Sequence, residues 1–312
     1  MEQPALDRLL ARSMEPDCLN GSIAYLTEHL RQFLRPGERV LICFHHHEYG
    51  NISWLMERAV LACSAVPVLW GEDIRWKSLL RMAFSSRASC VIGPPLVVLG
   101  LAKTARANAT PLFVRNVVTA GYLCLDWMIE GIRSGFDCRS WGCFSIGLTG
   151  IVCGFSCGNS LGVHLRDEVY GVDIVDEGGN LLPEGQTGEV ILYCRDDPAS
   201  RCSLGDRGRL EREPCACGCL SPRVMQLGPG KAYDPDLLEL GQHLQSWTSI
   251  LDCRLCKGPY GLEMELVTFP GEKLPKLPTA AKLIVRPWNP DADEPFWYFP
   301  LSKNTENFPE SH

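Results

Sequence analysis

Apolar residues recur at helical spacing at the start of the chain, at Leu6, Leu9 and Leu10 and again at Ile23, Leu26, Leu30, Phe33 and Leu34, until Arg35-Pro36-Gly37 stops the run. The period then switches. Val40-Leu41-Ile42-Cys43-Phe44 is a short apolar run of the kind a buried strand shows, Ile52 to Ala62 returns to helical spacing, and Val66-Pro67-Val68-Leu69-Trp70 is strand-like again. The alternation continues with a helix about Trp76 to Phe84, a strand at Ser89 to Gly93, a helix through Val97 to Ala105, a strand at Leu112 to Val118 and a helix about Leu125 to Arg133. Such alternation predicts an open, mostly parallel sheet flanked by helices, with ligands bound beyond the carboxyl ends of the strands.

After Leu165 the texture becomes turn-rich and alternating, with strands expected at Tyr170 to Val175 and Gly188 to Tyr193 around the turn Glu177-Gly178-Gly179-Asn180. Gly228-Pro229-Gly230 reads as a hinge. Beyond it a smaller unit is expected, with a helix about Leu237 to Gln245 and strands at Leu262 to Phe269 and Ala281 to Val285. The expected fold class is α/β: N-terminal helices over 1–36, an α/β subdomain over 37–165, a β-rich subdomain with a candidate zinc knuckle over 166–227, and a small α+β C-terminal domain over 228–312. The polar stretch Asn304 to His312 reads as a frayed end.

Composition narrows the function classes. The 312 residues are 46% hydrophobic and 21% charged, which describes a globular chain and not a disordered one. Thirty basic against thirty-seven acidic side chains leave a net charge of −7, so nucleic acid is disfavoured as a partner. The apolar stretch Cys90 to Ala102 is interrupted by Gly93-Pro94-Pro95 and is shorter than the roughly 20 residues of a membrane helix. No membrane span is expected, nothing at Met1-Glu2-Gln3-Pro4 resembles a secretory signal, and a cytoplasmic location is expected. In a reducing compartment the 16 cysteines read as buried thiols or metal ligands in preference to disulfides.

Cys157, His164, Cys215 and Cys217 make up a complete tetrahedral set for zinc, and Cys215-Ala216-Cys217-Gly218 has the form of a ligand knuckle. Spacing alone leaves open that these are separate buried residues. A competing set joins Cys215, Cys217 or Cys219 to Cys253-Arg254-Leu255-Cys256, but it would fuse units on either side of the hinge; the same Cys253/Cys256 pair admits a redox role. At His45-His46-His47, alternation along a strand allows at most two rings to meet on one ion, and a loop lining a pocket is the simpler reading. Trp54, Trp70 and Trp76 read as core packing.

The run Ser145 to Gly150, then Cys157, Gly162-Val163-His164-Leu165-Arg166, Val172 to Asp176, Leu182 to Val190, Gly205-Asp206-Arg207-Gly208-Arg209 and Pro214-Cys215-Ala216-Cys217-Gly218 resembles the adenylate-forming superfamily, in particular its phenylacetate-CoA ligase type. The match covers residues 141 to 218. A weaker similarity reaches back to about Gly37, through Glu48-Tyr49-Gly50 and Ala65-Val66-Pro67-Val68, where it points to the acyl pocket. The resemblance implies activation of a carboxylate by ATP with magnesium, then acyl transfer to coenzyme A. It implies that Thr149 faces the adenylate phosphate and Asp206 holds the ribose hydroxyls. It also favours a structural zinc at Cys157, His164, Cys215 and Cys217, pinning the loops that carry Thr149 and Asp206.

Departures from the family pattern are equally specific. Ile146 and Gly150 stand where the family has tyrosine and a magnesium-binding glutamate, and glycine offers no hard oxygen ligand. No Ser/Thr/Gly-rich loop ending in lysine precedes Gly37, Lys231 stands near the hinge arginine, and Lys303 is the nearest candidate for the late catalytic lysine. The expectation is a shortened, zinc-stapled ligase homologue with impaired ATP-dependent ligation, a pseudoenzyme if activity is lost. Its ligand would be a small carboxylic acid or a CoA ester, and a protein partner supplying the missing parts is one possibility the sequence leaves open. The alternative is a non-catalytic binding or scaffold protein using the inherited cleft.

Overall fold

A computed structural model describes residues 3–71, 73–122, 124–146, 149–158, 162–229, 249–258, 261–270 and 282–295. Two helices, α1 (Gln3–Ser13) and α2 (Pro16–Leu30), open the chain; Pro16 at the first turn of α2 has no amide for the helix to leave unpaired. Then come β1 (Arg39–Ile42), α3 (Ile52–Ala62), β2 (Val66–Leu69), α4 (Trp76–Ser86), β3 (Cys90–Gly93), α5 (Pro95–Ala107), β4 (Asn116–Thr119) and α6 (Asp126–Phe136). This is the expected alternation, with α3 beginning at the expected residue because Asn51 caps it, its side chain accepting from the Trp54 amide at 2.9 Å.

The antiparallel section holds β5 (Arg139–Ser145), β6 (Val152–Phe155), β7 (Val163–Leu165), β8 (Tyr170–Val175), β9 (Gly188–Cys194), β10 (Asp197–Glu211) and β11 (Arg223–Pro229). The small C-terminal sheet is β12 (Ile250–Gly258), β13 (Gly261–Thr268) and β14 (Lys282–Pro287). Strands β1 to β11 form one continuous sheet in the order β2-β1-β3-β4-β5-β6-β7-β11-β10-β9-β8. β5 is its turning point, parallel to β4 and antiparallel to β6. The helix expected at Leu237 to Gln245 lies outside the described residues.

Gly228-Pro229 is not free hinge chain. These residues end β11 and pair with Arg207 and Asp206 of β10. Pro229 stands at the last position of the strand, next to a register shift, where a residue that cannot donate is tolerated.

The parallel strands are covered on both faces, which is why they read as unbroken apolar runs. Val40, Ile42 and Phe44 face α2 and α3 in a core shared with Leu26, Leu30, Leu55, Met56 and Phe155. Leu41, Cys43, Val91 and Val117 face the other way, against Trp76, Leu79, Val98, Leu101, Trp127 and Ile132 of α4, α5 and α6. A third core joins Leu9 of α1 to the antiparallel strands through Tyr170, Val172, Leu192 and Val224. Trp76 and Trp70 are buried and Trp54 packs half-buried against the first core, as expected. The described cysteines are free thiols. Among the described residues no helix is long and apolar enough to cross a membrane.

Candidate metal centre and the nucleotide candidates

Sheet register brings the four expected ligands together. β7 lies between β6 and β11, and His164 is opposite both Phe155 and Arg223. Cys157 follows Phe155 by two residues, and Cys217 precedes Arg223 by six. Glycines permit the local turns: Gly162 has φ +86°, and a Cβ there would meet Val224 O at 2.9 Å, while Gly218 has φ +85° and closes the knuckle by donating its amide to Cys215 O at 2.9 Å.

The ligand atoms of Cys157, His164, Cys215 and Cys217 all lie within 4.8 Å of one another. Cys157 Sγ and Cys215 Sγ are 3.7 Å apart, too far for the roughly 2.05 Å of a disulfide. Cys217 Sγ lies 3.4 Å from His164 Nε2. A tetrahedral zinc, with Zn–S near 2.3 Å and Zn–N near 2.0 Å, sets thiolates roughly 3.8 Å apart and thiolate and imidazole nitrogen roughly 3.5 Å apart. The donor set and its spacing therefore fit zinc.

Surrounding groups orient the donors. His164 Nδ1 donates to Ser221 O at 3.1 Å, which leaves the Nε2 lone pair toward the sulfurs, and Ser221 Oγ donates to Asp167 Oδ1 at 2.8 Å. Amides of Cys217 and Cys219 approach Cys215 Sγ at 3.5 Å and Cys217 Sγ at 3.4 Å. Burial and the neighbouring Cys215 and Cys157 push the Cys217 thiol up to about 11, the opposite of what a cation at the centre would do. Burial lowers the His164 pKa, but Ser221 O, Cys215 and Cys157 outweigh it and raise the ring overall. Cys253 belongs elsewhere: it is buried in β12 with Asp252 and Lys103 as its electrostatic neighbours, so it does not join Cys215 and Cys217. The Cys256 side chain, Lys231 and Lys303 lie outside the described residues.

The nucleotide candidates sit at the antiparallel half of the sheet. Thr149 lies in the β5–β6 connection, where its hydroxyl donates to Ile146 O at 2.6 Å and accepts from the Ile151 amide at 3.2 Å. That hydroxyl is engaged by its own turn. Asp206 is half-buried on β10, opposite Pro229 and beside a register shift at Arg207/Gly208. Thr149 precedes β6 and Cys157 follows it, so the clasp and this turn are at opposite ends of one strand. A metal would act on Thr149 only through β6 and would not pin the turn directly.

A Cβ on Gly150 would lie 2.1 Å from Gly50 O. The two loops thus meet backbone to backbone, and a side chain at position 150 would force one of them to move. The histidine run serves this loop and does not gather on one ion: the rings of His45 and His46 have centroids 4.0 Å apart, whereas His47 turns toward α3. His47 Nδ1 is 2.9 Å from Ser53 Oγ and His47 Nε2 is 3.2 Å from Glu57 Oε2. Sequence reasoning missed this Ser53–His47–Glu57 chain. The available signal was the i, i+4 spacing of Ser53 and Glu57 on one helix face.

No protein-family model and no curated protein sequence matches the chain. Solved structures do. A 2-hydroxyisobutyryl-CoA ligase in the postadenylation state is similar with a TM-score of 0.66 at 14% identity, over 89% of this chain and 68% of that one. The amide bond synthetase McbA from Marinactinospora thermotolerans is similar with a TM-score of 0.53 at 15% identity, over 88% and 64% of the two chains. An anthranilate CoA ligase in complex with anthranoyl-AMP follows with a TM-score of 0.53 at 14% identity, over 82% and 54%. The chain has the fold of the adenylate-forming CoA ligases.

Proposed function

We propose that the chain is a zinc-clasped relative of the ATP-dependent acyl- and aryl-CoA ligases, of the phenylacetate-CoA ligase type, that binds an adenylate or a CoA ester in its cleft and is impaired in ligation. Gly150 carries the reading: its Cβ position is filled by the Gly50 carbonyl oxygen at 2.1 Å, so no carboxylate can reach a magnesium ion from there. Phosphoryl and acyl-phosphate chemistry rests on preorganised charge, and a cleft without that ligand loses orders of magnitude in rate.

Cys157, His164, Cys215 and Cys217 would hold the zinc. Their four protein donors complete a tetrahedron and leave no open position, so the metal's part is structural. It would tie the end of β6 to β7 and to the turn between β10 and β11. Asp206, an acceptor-only carboxylate, would take the ribose hydroxyls. A cytoplasmic location is part of this proposal, and it rests on reading the cysteine-rich sequence as thiols and metal ligands.

A second reading, a purely non-catalytic binding or scaffold protein, is favoured by one observation: the Thr149 hydroxyl is already engaged by Ile146 O and the Ile151 amide. A protein partner supplying the phosphate loop would reconcile the two. Calorimetry with AMP and CoA alongside ATP–pyrophosphate exchange across aryl and aliphatic acids tests the proposal. Binding with exchange far below that of an active ligase supports it. Absence of binding to both ligands removes it, and exchange at ordinary ligase rates removes the impairment.

A further inference from the structure

Lys103 and Arg106 of α5 line a cavity of about 550 Å³ between α5, α6 and the C-terminal sheet. That volume falls among those of small-molecule pockets, about 300 to 1,000 Å³. It lies on the α4–α6 face of the main sheet, whereas the Gly50–Gly150 contact involves the loop before α3, on the opposite face.

Two glycines build its floor. A Cβ on Gly135 would lie 2.8 Å from Ala102 Cβ, which cannot rotate away, so the close approach of α6 to α5 there needs glycine; one on Gly131 would lie 2.8 Å from Leu99 Cδ1, which a leucine rotamer change could relieve. Phe269 and Trp288, also in the lining, form an edge-to-face pair with centroids 5.5 Å apart at 82°. The C-terminal sheet is seated here by Leu251, Val267 and Phe269, which share a core with α4 to α6, and by Lys103 Nζ donating to Ile250 O at 2.9 Å.

The polar groups around this space are unevenly matched. No carboxylate is among the described lining residues. Asp252 is an electrostatic neighbour of Lys103, whose pKa burial lowers, so Lys103 is partly compensated. Arg106 is exposed, and its guanidinium makes no hydrogen bond or ion pair among the described residues. Trp288 Nε1 is shielded from solvent and has no partner among them. An uncommitted guanidinium beside an aromatic wall matches an anionic group carried on a flat apolar body.

We propose that this seam is a second ligand site, for an organic anion with a flat apolar body, in which Arg106 takes the anionic group and Phe269 and Trp288 hold the ring.

The test uses naphthalene-1-sulfonate, which has no carboxylate to be activated, and the neutral 1-naphthalenemethanol, both titrated calorimetrically into the full chain. One sulfonate should bind per chain, at least tenfold more tightly than the alcohol. Arg106→Glu should weaken it at least tenfold and Ala107→Trp, filling the cavity from its exposed rim, should abolish it, while Thr149→Ala leaves it unchanged. Circular dichroism and melting confirm that each variant is folded. No sulfonate binding, equal binding of the alcohol, or unchanged affinity in both cavity variants overturns the proposal.

Discussion

Gly150 and Gly50 meet with no room for a side chain between them: a Cβ on the first would lie 2.1 Å from the carbonyl oxygen of the second. The Thr149–Gly150 turn is thereby closed against the loop that carries His45 to His47. Restoring a carboxylate at this place is a structural change and not merely a chemical one.

Gly150→Glu should therefore fail to confer magnesium-dependent adenylation and should destabilise the chain by about 2 to 4 kcal/mol, because backbone cannot rotate away as a flexible side chain would. Urea unfolding and pyrophosphate exchange on the same preparation check both parts. A stable G150E variant with new magnesium-dependent exchange would show that the loops can part.

Trp76 is 1% exposed, and its ring fills a notch left by Gly100, where a Cβ would fall 2.0 Å from Cη2. Trp76→Ala should cost about 3 to 5 kcal/mol through lost burial and a residual cavity. Gly100→Ala should also destabilise, by overpacking, by about 1 to 3 kcal/mol. Equilibrium denaturation gives both values. A near-neutral G100A would mean that the tryptophan ring shifts freely.

Burial, helped by the adjacent His46, lowers the His45 pKa to about 4 from the ordinary value near 6.5. A depressed folded-state pKa means that the unfolded chain binds the proton more readily. This contribution is thus complete above about pH 6.5 and is lost as pH falls toward 4. The carboxylates Asp73, Asp176 and Asp291, held low by Arg75, by Asn180 and by Lys77 respectively, act in a lower window. The urea midpoint should fall between pH 7 and 4.5, and His45→Asn should flatten that decline. The same slope in wild type and variant would assign the loss to other groups.

Ser53→Ala should cost about 1 kcal/mol, because it removes the hydrogen bond between the buried Ser53 hydroxyl and the partly exposed His47 ring, while the imidazole can still turn to water. If the Ser53–His47–Glu57 chain orients His47 toward a cleft ligand, S53A should also weaken AMP or CoA binding more than twofold. A stability loss with unchanged affinity would confine the chain to a structural role.

The α/β half was legible because its strands are covered on both faces and its helices on one. Val40 to Phe44 is apolar throughout, and Ile52 to Ala62 returns to a helical period under an Asn51 cap. β5 escaped notice because Gly, Ser and Cys interrupt its apolar positions, and β6 and β7 because four and three residues are too short to show a period. β10 escaped because Asp197 to Glu211 is largely polar and its register is interrupted. The metal donors were legible as residue types with plausible spacing, yet their convergence depends on β7 pairing with both β6 and β11. That pairing is a long-range fact which sequence spacing does not contain. The Gly50–Gly150 contact is of the same kind, since it joins loops a hundred residues apart in the chain.

The central claim is that one zinc ion joins Cys157, His164, Cys215 and Cys217. Elemental analysis of the purified chain, paired with thermal melting with and without a strong chelator, tests it directly. The account predicts one zinc per chain, a substantially lower melting temperature once the metal is stripped, and loss of both in Cys215→Ser, with C253S keeping the metal. A folded wild-type chain that carries no zinc after zinc loading, and melts at the same temperature with or without chelator, would contradict it.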